Sequence, residues 1–157
     1  MRFTRSLSVV LVVIGLLVLQ GTPARSALVQ EGTSTLTVKI SGFRNAKGKA
    51  DALLFVRPNG FPDDDSKAVD KDEVSIDPKT MSAEIVFKGV PRGFAAVTVL
   101  HDENVNRKMD KNFIGIPKEG YGTSNNPRKA SHNPRWDEAK FPVTRPQETI
   151  QIRLIYW

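Results

Sequence analysis

One segment of the chain carries oxygen-bearing side chains at regular spacing, directly after an apolar run. These side chains belong to Asp102, Asn104, Asn106 and Asp110. Their spacing follows the first part of a calcium loop of the D-x-[DN]-x-[DN]-G type, in which carboxylate and amide oxygens wrap a hard cation. The second part is incomplete, because Arg107 occupies the glycine position and Phe113 the position of the bidentate glutamate. The sequence therefore predicts at most a weak calcium site, with a Kd of about 10⁻⁴ to 10⁻³ M.

The same side chains have an alternative use that requires no cofactor. Asp and Asn side chains accept N–H groups from the nearby backbone, and Asn tolerates left-handed geometry, so an irregular loop can satisfy its own amides. In this interpretation Asn125 and Asn126 act similarly, and four apolar or aromatic residues pin the loop to the domain. The four are Phe113, Ile116, Tyr121 and Trp136. Calcium and no cofactor both remain open for segment 101–126.

A hydrolase is the enzymatic alternative. His101 beside Asp102, with His132 and Ser124 in the same region, could serve a metal-dependent or acyl-transfer mechanism. However, neighbouring residues of a strand point to opposite faces, and two histidines alone fall short of a zinc site. We therefore assign no catalytic residue and favour a non-enzymatic binding or structural module.

A basic and aromatic surface around Tyr121, Arg128 and Trp136 is a second candidate site. It could bind a glycan, an anionic envelope polymer or a partner protein. Nucleic acid is not expected, because removal of residues 1–26, with three arginines and no acid, leaves 20 basic against 17 acidic residues, or +3. A small charge of mixed sign is typical of an ordinary solvated surface. We expect a monomer.

The first 26 residues predict export. Arg2 and Arg5 precede an apolar run at 7–19, and small residues follow at Ala24 and Ser26, as in a signal peptide. As a helix the run would span about 20 Å, short of the roughly 30 Å hydrocarbon core of a bilayer. The expected destination is the periplasm or the extracellular medium, with no membrane contact after cleavage. The absence of Cys excludes disulfides and thiolate metal sites.

Hydrophobic periodicity predicts β-strands in most of the remaining chain. Apolar and polar residues alternate, or apolar residues fill both parities, in six runs: 35–40, 52–56, 81–87, 94–100, 140–144 and 149–156. Long loops at 59–79 and 101–138 separate them, the first with a turn of helix or an edge strand near 67–74. We predict an all-β fold, an antiparallel Greek-key β-sandwich of immunoglobulin-like or transthyretin-like type with one long ordered loop. The predicted domain is 35–157, after a flexible segment at 27–34.

Four motifs carry a family resemblance. They lie at 93–95 (Gly-Phe-Ala), at 101–110 (His-Asp-x-Asn-x-Asn ending in Asp), at 115–126 and at 134–141. Together they make residues 35–156 resemble the bacterial family called domain of unknown function 2141. The chain departs from the family pattern at Arg107, usually glycine, and at Thr123, commonly aromatic. The resemblance implies an exported β-sandwich of unassigned biochemistry and supplies no catalytic residues.

Overall fold

A computed structural model describes residues 32–127 and 133–157. In these ranges the chain forms eight strands and one short helix, α1 (Trp136–Ala139). The strands are β1 (Thr33–Ser41), β2 (Lys49–Phe55), β3 (Asp70–Ser75), β4 (Ser82–Pro91), β5 (Gly93–Asp102), β6 (Gly120–Thr123), β7 (Phe141–Val143) and β8 (Gln147–Arg153). No helix in the described ranges has the length and apolar character needed to cross a membrane. The predicted signal peptide, 1–26, lies outside them.

The strands form two sheets, which confirms the predicted all-β sandwich. The smaller sheet has the order β4-β1-β8, and the larger has the order β3-β2-β5-β6, with β7 paired to the first residues of β5. One pair departs from the antiparallel arrangement, because β1 and β8 run parallel. These two strands lie at opposite ends of the described chain, so no hairpin forces them to be antiparallel. β1 begins at Thr33, two residues before the predicted domain boundary.

The core lies between the two sheets and follows the alternation in the sequence. In β1 the side chains of Leu36, Val38 and Ile40 are fully buried, and in β4 Ile85 and Phe87 pair with them across the sheet. Burial of each such side chain contributes about 1.5 to 3 kcal/mol. The predicted edge strand near 67–74 is β3, which pairs only with β2.

Both faces of the central strand β5 are covered. Val97 and Val99 point into the core, while Ala96 on the outer face lies opposite Phe55 of β2. Phe55 packs edge-on against Phe61, which packs edge-on against Trp136 of α1, with centroid distances of 5.5 and 5.9 Å. The predicted packing of Trp136 against the sandwich is therefore confirmed.

The predicted loop at 101–126 is shorter in the structure. β5 continues through His101 and Asp102, and Gly120–Thr123 forms β6, so the irregular part spans 103–119. Glycines obscured β6 in the sequence, since they are depleted in strands. Here they are needed because a Cβ on Gly120 would overlap the ring of Tyr156, and a Cβ on Gly122 would lie 2.7 Å from Ile152.

Candidate functional site

Residues 103–119, called here the arm, connect two neighbouring strands. β5 and β6 pair antiparallel, with His101 opposite Gly120, so the arm leaves and rejoins the sheet at one end. Seventeen residues far exceed the two to five of an ordinary hairpin loop. An irregular segment of this length needs internal hydrogen bonds to hold one conformation.

Asp102 holds the first half of the arm. Its carboxylate is buried and accepts the backbone N–H of Asn106 at 3.1 Å and that of Arg107 at 2.6 Å. Val105 and Arg107 both have left-handed backbone, with φ of 59° and 60°. Such geometry costs a residue with a side chain about 1 to 2 kcal/mol. The charged hydrogen bonds offset that cost, which explains how Arg107 is accommodated at the position where a calcium loop has glycine.

Glu119 joins the two ends of the arm. Its carboxylate is buried, and its two oxygens accept the backbone N–H groups of Glu103 at 2.9 Å and Asp110 at 3.0 Å. The spacing in the sequence does not indicate this role. The signal in the sequence is the position of Glu119, directly before the Gly-Tyr-Gly of β6. An acidic side chain at the end of a loop can fold back and bind the amides of that loop.

The middle of the arm is held by side chains of the arm itself. The Asp110 carboxylate accepts the Nδ2 donors of Asn104 at 2.8 Å and Asn106 at 3.1 Å. Asn106 Oδ1 in turn accepts the N–H of Lys108 at 2.7 Å. This bond is the local self-capping that the sequence predicts. Asn125 and Asn126 have left-handed backbone, but they bond backbone groups of Lys140, Gln151 and Arg153, so they tie the end of β6 to distant segments and do not cap their own loop.

The four predicted calcium ligands lie in one hydrogen-bond network, in which the oxygens of Asp102, Asn106 and Asp110 face N–H donors. Asp102 binds two backbone amides and Asp110 binds two side-chain amides. Throughout the described ranges, no group of three or more acids or histidines is arranged to hold a metal ion. The asparagine amides would have to turn their oxygens inward to ligate a cation. As arranged, this donor set does not fit calcium, and calcium binding would require the arm to rearrange.

His101 is fully buried beneath the base of the arm. Its Nε2 lies 2.9 Å from the carbonyl oxygen of Lys47 and must donate there; in the neutral imidazole Nδ1 then accepts from the Tyr156 hydroxyl at 2.7 Å. Burial raises the pKa of Tyr156, which keeps the hydroxyl protonated as a donor. Phe43 packs edge-on against the imidazole at 5.1 Å. The histidine thereby ties β5 to the β1–β2 connection and to the C-terminal segment.

The described members of the proposed hydrolase set, His101, Asp102 and Ser124, do not form a catalytic arrangement with one another. His101 and Asp102 point to opposite faces of β5, and both side chains are occupied by the contacts above. Ser124 is buried, with its hydroxyl 2.7 Å from the carbonyl of Ala139. His132 lies outside the described residues.

The predicted basic and aromatic surface is only partly described. Arg128 lies outside the described ranges. Trp136 packs against Phe61, while the backbone of Tyr121 bonds to that of Ile155. The structure thus gives the two aromatic residues separate neighbours, and partner binding on this surface remains a prediction.

Ion pairs join the arm to the sandwich. Arg44 Nε donates to Glu103 at 2.6 Å, and the Arg107 guanidinium binds Glu73 of β3 at 2.8 Å. The Arg44 guanidinium lowers the pKa of Glu103, and hydrogen bonds from Lys49 and then Arg107 lower the pKa of Glu73. Both carboxylates are therefore ionised at neutral pH.

The far end of the arm is a tight turn. Residues 110–112 run antiparallel to 116–118, with Lys111 bridged to Pro117. Asn112 closes the turn, because its Oδ1 accepts the N–H groups of Ile114 at 3.1 Å and Ile116 at 2.9 Å. Like that of Glu119, the role of this asparagine is not indicated by the spacing in the sequence.

Apolar side chains at the turn point into solvent. Phe113 is 98% exposed, Ile114 64% and Ile116 40%. We call residues 113–116 the tip. The prediction that Phe113 and Ile116 pin the loop to the sandwich is wrong, because polar side chains hold the arm in place and the turn carries both residues outward.

Comparison with known sequences agrees with the resemblance. The model of the family described as "Uncharacterized protein conserved in bacteria (DUF2141)" matches residues 38–151. No curated protein and no solved structure matches the chain. Residues 38–151 include the arm and parts of both sheets. The chain belongs to this family of uncharacterized bacterial proteins, DUF2141.

Proposed function

We propose that the protein is an exported, non-enzymatic binding module that presents the arm, residues 103–119, to its partner. One observation carries the proposal: an almost fully exposed Phe113 stands at the end of an arm fixed by buried carboxylates. Isolated exposed apolar residues are common, but contiguous apolar surface on a protruding turn is typical of interaction sites.

The construction of the arm supports binding through the tip. Asp102 and Glu119 are buried carboxylates, and burial of a charge is tolerated only when hydrogen bonds compensate for lost hydration. Here the compensating donors are amides of the arm, so these acids order the arm from inside. A preordered arm loses less conformational entropy when a partner binds.

The two remaining parts of the proposal rest on separate observations. The basic, apolar and small-residue pattern of residues 1–26 supports export. The involvement of both His101 nitrogens and both Asp102 oxygens in structural hydrogen bonds supports a non-enzymatic role. The partner-binding region is then the tip, while the His101 side of the sheet supports its base.

Site-specific photocrosslinking in the producing cells tests the proposal. A photoreactive phenylalanine analogue replaces Phe113 in one variant and Phe94 in the control. Phe94 is 55% exposed but lies at the start of β5, away from the arm. We expect crosslinked adducts, to protein or to lipid, at position 113 and few at position 94. Equal labelling at both positions, or none at 113, would contradict a binding role for the arm.

A further inference from the structure

We propose that the partner of the arm is an anionic lipid surface, into which the tip inserts Phe113 and Ile114 while lysines contact the headgroups. The inference rests on the proposed binding function and names its partner. It departs from the expectation that the mature protein makes no membrane contact. Apolar exposure, local charge and backbone hydrogen bonding each support it.

Apolar and basic residues alternate between the tip and its flanks. The most exposed apolar side chains are Phe113 and Ile114, and exposed lysines lie beside them at positions 108, 111 and 118. An aromatic and an aliphatic side chain surrounded by lysines match the apolar interior and the negative headgroups of an anionic bilayer. A protein partner would not require this combination.

The charge near the tip is strongly positive. Residues 105–118 contain four basic residues and one acidic residue, a net +3; because Arg107 is paired with Glu73, the charge offered to a surface comes from the three lysines. The single acid, Asp110, directs its carboxylate inward to Asn104 and Asn106. The tip therefore presents little negative charge to a surface. Each lysine near an anionic membrane increases the affinity about fivefold, because it contributes about 1 kcal/mol.

The backbone of the tip is prepared for an apolar environment. The N–H groups of Ile114 and Ile116 bond to Asn112 Oδ1, and the N–H of Gly115 bonds to the Asn112 carbonyl at 2.9 Å. The carbonyl of Ile116 accepts the N–H of Asn112 at 2.8 Å. Non-helical backbone enters a bilayer at high cost when its polar groups lack partners. Asn112 removes much of that cost at the tip.

The exposed Val86 lacks these properties. Val86, at 41% exposure, lies in the edge strand β4 two residues from both Glu84 and Lys88. Its exposure is close to that of Ile116, at 40%, but it lies on a strand of mixed charge and not at the turn of the arm. Val86 is therefore a matched control for the tip.

Vesicle co-sedimentation tests the inference. Every variant is produced from the full chain, so that residues 1–26 contribute equally to all of them. The protein is mixed with vesicles of phosphatidylcholine or of phosphatidylcholine with phosphatidylglycerol. We expect preferential binding to the anionic vesicles that weakens with salt. Combined Phe113→Ser and Ile114→Ser should reduce the affinity about tenfold or more. Val86→Ser should leave it within about twofold of wild type.

A second pair of variants separates local charge from total charge. Lys111→Gln with Lys118→Gln should weaken anionic binding about tenfold or more, since each lysine contributes about fivefold. Lys39→Gln with Lys88→Gln removes equal charge from exposed positions of the smaller sheet and should have a much smaller effect. The four substituted lysines are exposed to solvent, so circular dichroism of these variants should show an unchanged fold.

The outcomes distinguish failure of the inference from failure of the proposed function. Absence of wild-type binding to both vesicles, or binding that the tip variants leave unchanged, would overturn the lipid inference. If position 113 then crosslinks a protein in cells, the arm remains a binding region with a protein partner. If it crosslinks nothing, the proposed function fails as well.

Discussion

The carboxylate of Glu119 accepts the backbone N–H of Glu103 at 2.9 Å, so the last residue of the arm binds the first. The second oxygen of Glu119 binds the N–H of Asp110 near the middle of the arm. One buried side chain thus holds the start and the middle of the arm against its end. The conformation of the arm consequently depends on this carboxylate more than on apolar packing.

Replacement of Glu119 by Gln should destabilise the protein. One amide oxygen can replace one carboxylate oxygen, but the NH₂ group then faces the N–H of Glu103 or Asp110, which leaves a buried donor unpaired. We expect a loss of about 1 to 3 kcal/mol in the free energy of unfolding, measured by urea denaturation.

Glu148→Gln is the matched control for Glu119. Glu148 also accepts two backbone N–H groups, those of Thr144 at 3.2 Å and Arg145 at 3.0 Å, but it lies near the start of β8 and is less buried than Glu119. Water can replace a lost partner there, so the loss should be smaller. Equal losses in the two variants would show that Glu119 has no special role in the arm.

Gly48→Ala should be more damaging than Gly89→Ala. Both glycines have left-handed backbone, with φ of 65° and 70°, so alanine costs each about 1 to 2 kcal/mol. A Cβ at Gly48 would also overlap the backbone carbonyl of Asp102, whereas one at Gly89 would meet nothing within 4 Å. The overlap should add about 1 to 3 kcal/mol, measured by chemical denaturation. Similar losses would mean that the base of the arm can shift freely.

Acid should remove the contribution of the Arg44–Glu103 pair. The guanidinium lowers the pKa of Glu103 in the folded protein below its usual value of 4.5. The pair therefore makes its full contribution to stability above pH 4.5, and that contribution is lost as the pH falls through the pKa of the folded state. Since the pair is partly exposed, Glu103→Gln should lose only about 0.5 to 1 kcal/mol at neutral pH. The difference in unfolding free energy between this variant and wild type should disappear at about pH 2.

Glu84→Gln, at an exposed position of β4, provides the control for the pH series. Unfolding free energies of wild type and both variants are measured from neutral pH to strong acid. A Glu103→Gln difference that persists unchanged in acid would indicate lost packing rather than a lost ion pair.

Calcium should leave the thermal stability unchanged, because the oxygens of Asp102 and Asp110 already bind N–H donors. A bound ion with a Kd of about 10⁻⁴ M would add about 2.7 kcal/mol at a hundredfold excess over that Kd. Thermal unfolding in EDTA, calcium and magnesium separates the two cases. A calcium-specific rise in Tm that Asp102→Asn abolishes would show that the arm rearranges around a cation.

Local patterning was sufficient to predict much of the fold. The alternation of Leu36, Val38 and Ile40 predicts β1 because one face of the strand is buried against the opposite sheet. The parallel pairing of β1 with β8 could not be predicted, since it joins distant segments without a local signal. β6 was missed because Gly120 and Gly122 are poor strand formers that long-range packing against Tyr156 and Ile152 requires.

The site was predicted in its composition but not in its geometry. The spacing of Asp102, Asn104 and Asn106 correctly indicated a cluster of polar turns, yet it could not choose between a cation and backbone donors. The partner of His101 is Tyr156, 55 residues away, and no local pattern connects them. Exposure of Phe113 depends on the turn formed by Asn112, whereas composition alone favours burial of an aromatic residue.

Residue-resolved hydrogen exchange of the wild-type protein, measured by NMR, tests the central claim most directly. The claim is that buried carboxylates order the arm before any partner binds. The N–H groups of Asn106 and Arg107, bound to Asp102, and of Glu103 and Asp110, bound to Glu119, should exchange much more slowly than in an unstructured peptide. Exchange of these four amides at the unstructured rate would contradict an ordered arm.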